Sequence, residues 1–246
     1  MKIIVLAGGE GKRMWPIKTN KCLIPFLGKP LLYHNLKKIK NAINGGEFII
    51  ISSSTSKDGV EKIASEIGLN HKVVVQQQPK GMADAILSVQ SGLEGEVLVV
   101  NAEDILDGLI YGQVEKSTSD VAFSGKKVDK YFPGGYLKVD GERVTGIVEK
   151  PGEGNEPSDL VKLVVDFFKD GEKLVEYLEK ASSEQDDVYE KALDLMISDE
   201  VDVKFTEYDG VWIPLKYPWQ ILDILGALLA DIEQQIYSSA NVSEKA

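Results

Sequence analysis

Gly8, Gly9 and Gly11, followed at once by Lys12 and Arg13, form a turn suited to holding a highly charged phosphate. Successive backbone N–H groups in such a turn can converge on an anion, and glycines admit phosphate oxygens where a Cβ would block them. The apolar run from Ile3 to Leu6 reads as a buried strand, so the turn stands at a strand end. Spacing excludes two familiar phosphate loops. A Walker loop needs glycine five residues before its Gly-Lys pair and Ser or Thr after it, where this chain has Leu6 and Arg13. A dinucleotide fingerprint would put its third glycine at Met14. A strand-to-helix turn that uses its glycines for geometry alone is the plain alternative.

Further stretches carry candidate chemistry. Gln76 and Gly81 lie where a strand gives way to a helix. A primary amide both donates and accepts and can read a pyrimidine edge, while a glycine lets a base lie flat on the backbone. A polar loop capping the next helix would look the same. Asp104 follows the apolar run Val97–Val100, and a carboxylate at a strand end suits Mg²⁺, although Asp is also a good helix N-cap. Pro133, Gly134 and Gly135 mark a turn, and Glu149-Lys150-Pro151 ends a later strand pattern. His34 and His71 lack ligand spacing and read as structural or surface residues, and Trp212 and Trp219 read as core or packing residues.

With Pro16, Lys21 and Gly28-Lys29-Pro30 after the loop, this set resembles the sugar-1-phosphate nucleotidyltransferases, also called sugar-nucleotide pyrophosphorylases. The resemblance implies transfer of a nucleotidyl group from an NTP to a sugar 1-phosphate, with release of pyrophosphate. It implies that Leu6, Ala7, Gly8, Gly9, Gly11 and Lys12 hold the nucleotide, with Gln76 and Gly81 on its base. UTP or dTTP are the favoured donors. Arg13, Lys21 and Lys150 would serve the reacting phosphates, Gly135 and Glu149 the sugar, and Asp104 a Mg²⁺ ion. The chain departs from the family pattern in its second half. Lys162 to Asp166 lacks the usual Asn and Gly of the sugar strand. In the pattern Trp-x-Asp-x-Gly-x-Pro, matched to Trp212–Pro218, Pro214 replaces the aspartate that supplies a second metal ligand. A catalytically weak nucleotide-sugar-binding or regulatory homologue is therefore the rival reading. A cytidylyltransferase for a non-sugar alcohol phosphate is a third.

With 246 residues, 43% of them hydrophobic and 27% charged, the chain suits one soluble α/β domain. Its nucleotide-binding half is expected to extend to about residue 110, with the sugar-binding half and a C-terminal helix after it. A net charge of −11 disfavours nucleic acid and anionic membranes as partners. Anionic substrates then need local cations, which Lys12, Arg13, Lys18, Lys21 and Lys29 can supply. Cys22 is the single cysteine, and no apolar run has membrane-spanning length or signal-peptide form, so a cytoplasmic location is expected. A homo-oligomer is compatible with these features. Strand and helix patterns alternate up to Val97–Val100, which predicts a Rossmann-like, doubly wound, mainly parallel mixed sheet with helices on both faces. Antiparallel or mixed pairing is expected for Val121–Ser124, Gly135–Val139 and Val144–Glu149, and a helix for Pro218–Tyr237 with a frayed tail from Ser238.

Overall fold

Residues 1–9 and 11–232 are described by the computed structural model. The first half runs β1 (Lys2–Ala7), a small hairpin of β2 (Pro25–Phe26) and β3 (Lys29–Pro30), α1 (Leu31–Ala42), β4 (Glu47–Ser52), α2 (Lys57–Ile67), β5 (His71–Val75), α3 (Gly81–Leu87) and β6 (Val97–Asn101). The second half runs β7 (Asp104–Leu106), α4 (Leu109–Glu115), β8 (Val121–Lys127), β9 (Gly135–Asp140), β10 (Arg143–Glu149) and β11 (Leu160–Phe168). It ends with α5 (Gly171–Lys180), α6 (Val188–Ser198), β12 (Val203–Glu207), β13 (Trp212–Pro214) and α7 (Gln220–Ala230). The part of the expected C-terminal helix beyond residue 232, and the frayed tail, lie outside the described residues.

A nine-stranded sheet in the order β5-β4-β1-β6-β11-β8-β12-β10-β9 passes through both halves. β5, β4, β1 and β6 are parallel, whereas β11 pairs antiparallel with β6 and β8, as β10 does with β9. The mixed pairing expected after residue 120 is therefore present. The parallel strands alternate their apolar residues between two cores, as a period of two requires. Ile3, Val5, Phe48 and Ile50 meet α1, α2 and α4 on one face, and Ile4, Ile49, Ile51, Val97 and Val99 meet α3, α5 and α6 on the other. A third cluster of Met14, Ile24, Phe26, Ile105, Leu215 and Ile224 anchors the glycine loop against α7. No described helix is long and apolar enough to cross a membrane.

β1 stands between β4 and β6, so the chain leaves its carboxyl end at the point where crossovers diverge to opposite sides. In open α/β sheets that is where ligands bind. The β2–β3 hairpin, β7, α4 and β13 were not expected from the sequence. β7 and β13 form a separate antiparallel ladder in which Asp104 pairs with Pro214.

Candidate active site

A cavity of about 500 Å³ opens over the carboxyl ends of the parallel strands. Of the residues assigned to the nucleotide, the reacting phosphates, the sugar and the metal, all but Ala7 and Gly135 line it. Ala7 is fully buried in the core under α1 and α2. Gly135 is buried opposite Glu149 in the β9–β10 ladder, where a Cβ would come 3.1 Å from Glu149 Oε2. It makes room for the carboxylate and does not form the wall. Lys18 and Lys29 do not line the cavity, and Lys29 pairs with Glu66 on the surface.

Gly11 has φ +63, a left-handed conformation that suits glycine, and it starts the short turn Lys12–Met14. Met14 donates to Gly11 O at 2.8 Å and buries its side chain, which leaves Lys12 and Arg13 at the cavity edge. The Arg13 guanidinium lies 5.4 Å from the ring centre of Tyr217, and Tyr217 stacks on Trp219 at 4.5 Å. Trp219 packs on that ring while staying 65% exposed, so it is not a core residue.

Gln76 is held in one orientation. Its Nε2 donates to Asp84 Oδ2 at 2.7 Å and to Gly81 O at 3.2 Å, and its Oε1 faces Gly8. The donor half of the amide is thus occupied, and the acceptor half is the part left for a ligand. Gly81 has φ +91, a conformation that favours glycine, and a Cβ there would displace the exposed Asp186 side chain.

Asp104 begins β7 and caps no helix. Its Oδ1 accepts from Asn101 Nδ2 and its Oδ2 from Trp212 Nε1, both at 3.1 Å. Trp212 therefore orients a site carboxylate, a role beyond the packing expected of it. Asn35 fixes the backbone beneath by donating to Ala102 O and Asp104 O at 2.8 and 3.0 Å. Burial pushes the Asp104 carboxyl up from its ordinary range. Beside it, buried Glu103 accepts from the ammonium of Lys21, which also reaches Leu215 O at 3.3 Å. Burial raises the Glu103 carboxyl too, against the attraction of Lys21. Glu103 Oε1 is buried beside Gly9 with no hydrogen-bond partner among the described residues.

These donors fit Mg²⁺, which prefers hard oxygens. The orphaned Glu103 oxygen needs a partner, and each Asp104 oxygen keeps a free lone pair. Among the described residues no group of three or more His, Cys, Asp and Glu could hold a metal. Water and phosphate oxygens would have to complete the shell.

At the far end of the cavity Glu149 Oε1 pairs with Lys150 Nζ at 2.8 Å. Lys150 has φ +44, a strained value for a residue with a side chain, which costs of order 1 kcal/mol or more and is typical of sites that fix a side chain's aim. Glu190 on α6 also faces this end, and burial, with the charge of Glu149 added, lifts its carboxyl to about 7. Lys216 lines the wall with its ammonium 3.9 Å above the Phe132 ring, and burial lowers it to about 8. The Lys162–Asp166 stretch does not line the cavity. Lys162 Nζ pairs with Asp166 Oδ2 at 2.5 Å inside the protein, and Tyr189 donates to the same oxygen at 2.8 Å.

A family model described as nucleotidyl transferase matches residues 2–214. The chain belongs to the nucleotidyl transferase family. That is the family its glycine loop and following residues resembled. A bifunctional sugar-1-phosphate nucleotidylyltransferase/acetyltransferase of Sulfurisphaera tokodaii is 29% identical over 91% of this chain and 54% of its own length. The bifunctional protein GlmU of Methanococcus vannielii is 27% identical over 98% of this chain and 60% of its own. The chain thus spans a little over half the length of these relatives. Among solved structures, the inositol-1-phosphate CTP transferase of T. maritima superposes with a TM-score of 0.77 over 95% of this chain and 98% of its own, at 17% identity, a likeness of fold.

For this nucleotidyl transferase, sequence reasoning did not single out Lys216, Asp186 or Glu190. Asp186 and Glu190 lie in no short-range motif, Lys216 stands at the glycine position of the Trp212–Pro218 pattern, and α6 and the β13 ladder bring these residues to the cavity.

Proposed function

We propose that the protein is a cytoplasmic enzyme that transfers a nucleotidyl group from an NTP to a sugar 1-phosphate and releases pyrophosphate. One observation supports this above the others. A single cavity joins the cationic glycine loop, the fixed Gln76 acceptor, the Glu103–Asp104 pair and the Glu149–Lys150 pair. The acceptor's phosphate oxygen, already ionised, attacks the α-phosphorus in line as pyrophosphate leaves, and no covalent enzyme intermediate forms. Catalysis then comes from positioning and charge neutralisation. Arg13 and the loop amides hold the β- and γ-phosphates, Lys21 faces the α-phosphate, and Lys150 guides the acceptor phosphate. Glu103 and Asp104 would hold Mg²⁺, which supplies Lewis-acid neutralisation when bound.

The orientation of Gln76 narrows the base. An acceptor oxygen reads a ring N–H, which uracil and thymine present at N3 and guanine at N1. Cytosine and adenine carry an acceptor at the matching position. UTP and dTTP fit this reading, as does GTP. A pyrophosphate-release screen of UTP, dTTP, GTP, CTP and ATP against sugar 1-phosphates, with and without Mg²⁺, tests both parts. Turnover with UTP, dTTP or GTP is expected. Preference for CTP or ATP would overturn the base assignment. Silence with every pair, together with tight binding of a nucleotide sugar, would favour the non-catalytic binder that Pro214 suggests.

A further inference from the structure

Pro214 stands directly opposite Asp104 in the β7–β13 ladder, so a carboxylate is missing at the place closest to Asp104 across the strands. Two residues later the same segment turns Lys216 into the cavity. The turn is braced by Gln220, whose Oε1 accepts from the backbone N–H groups of Lys216 and Tyr217 at 2.7 and 2.8 Å. The backbone under Lys216 is therefore held before any ligand arrives, and the neighbouring Tyr217 ring holds Arg13.

The ammonium of Lys216 differs from its neighbours in how its charge is met. Lys21 is paired with Glu103 and Lys150 with Glu149. Among the described residues, Lys216 reaches only the carbonyl of Pro133, at 3.3 Å, and the face of Phe132. An ammonium has three donors, so two remain for a ligand. The charges that act on it come from both ends of the cavity: Asp104 and Arg13 on the loop side, Glu149 and Lys150 on the other. Its position suits a group that bridges the donor and acceptor phosphates.

We propose that Lys216 is a phosphate-binding catalytic residue of this cavity, contacting the phosphates that become joined and supplying positive charge where the Pro214 position supplies no metal ligand. This rests on the nucleotidyl-transfer reading. It also accounts for why a lysine is kept partly buried with no carboxylate partner among the described residues. With the ammonium in place, phosphate can be held with less help from a divalent cation.

The test uses inorganic tripolyphosphate, which carries the three phosphates of an NTP with no base to be recognised. Calorimetry in EDTA would compare the wild type with Lys216→Met, Lys216→Arg and Arg13→Ala. Loss of one charge-assisted contact should weaken binding about 10-fold or more in Lys216→Met, with Lys216→Arg within about 3-fold of wild type. Added Mg²⁺ should restore Lys216→Met more than it improves the wild type, and a purely structural defect would not respond this way. Wild-type affinity in Lys216→Met alongside a loss in Arg13→Ala would overturn the role of Lys216 and leave the nucleotide site standing. If neither the wild type nor any variant binds tripolyphosphate, the phosphate-site reading itself fails. Thermal melting of each variant identifies any that lose affinity through misfolding, and for such a variant Lys216→Gln replaces Lys216→Met in the comparison.

Discussion

Lys216→Met should make the empty protein more stable at neutral pH, because the wild type holds an ammonium where burial disfavours it. Burial, with Arg13 and Lys150 adding repulsion, outweighs the attraction of Asp104 and Glu149 and brings the group from 10.5 to about 8. In the unfolded chain the proton is held up to about pH 10.5, whereas the folded protein releases it near pH 8. The penalty is therefore complete below pH 8, declines between about pH 8 and 10.5, and is absent above that. At about 1.36 kcal/mol per unit the ceiling is about 3 kcal/mol, and solvent contact of the partly exposed chain reduces it to ~1–2 kcal/mol. Methionine also loses the cation–π contact with Phe132, worth ~0.5–1 kcal/mol. A net gain of roughly 1 kcal/mol remains, or about 2–4 °C in Tm for a chain of this size. Urea unfolding of both proteins in EDTA, from pH 6 to pH 11, measures it. The gap should be widest at pH 6–7 and close towards pH 10.5. A less stable variant at pH 7, or a gap that ignores pH, would refute the reasoning.

Glu190→Gln should follow the opposite course with pH. Its carboxyl titrates near 7 in the folded protein against an ordinary 4.5, so the wild type is penalised fully above pH 7 and not below about 4.5. The variant should gain about 1–2 kcal/mol at pH 8, and equal melting temperatures there would count against a carboxylate at Glu190 disfavoured by burial. Asp104→Asn should lose the nucleotide-dependent Mg²⁺ signal in calorimetry while its single amide oxygen keeps one of the two hydrogen bonds that Asp104 accepts from Asn101 and Trp212. Metal binding at wild-type strength would remove Asp104 as a ligand.

Much of this architecture could be read locally. The alternation of Ile3 and Val5 with Ile4, and of Leu98 and Val100 with Val97 and Val99, assigns each residue to a face of the sheet before any tertiary contact is known. The glycine loop and Gln76–Gly81 are readable for a related reason: each lies within a few residues of a strand end, so sequence position and spatial position coincide. What escaped were features made by distant partners. β7 and β13 are only three residues long, and one ends in a proline, so neither has a periodic signal and a proline argues against a strand. Their ladder joins Asp104 to Pro214 and puts Trp212 on Asp104, which is why a tryptophan read as packing turns out to orient a carboxylate. Ala7 and Gly135 stand apart from the other motif residues in not lining the cavity. A motif position identifies the segment near a ligand but not which side of the strand each residue faces, and strand alternation sends Ala7 into the core.

The same ladder changes how the Pro214 departure is understood. Read along the chain, the loss of a carboxylate suggests a weakened site. Once Pro214 is seen across from Asp104, the segment after it becomes the wall of the cavity, and Lys216 adds a positive charge close to where a negative one is absent. A carboxylate in that place can attract only a cation, whereas the ammonium meets the phosphate directly. The stability cost of burying Lys216 and its affinity for phosphate have one origin, an ammonium that no carboxylate among the described residues pairs. Substitutions at position 216 should therefore move stability and anion binding in opposite directions.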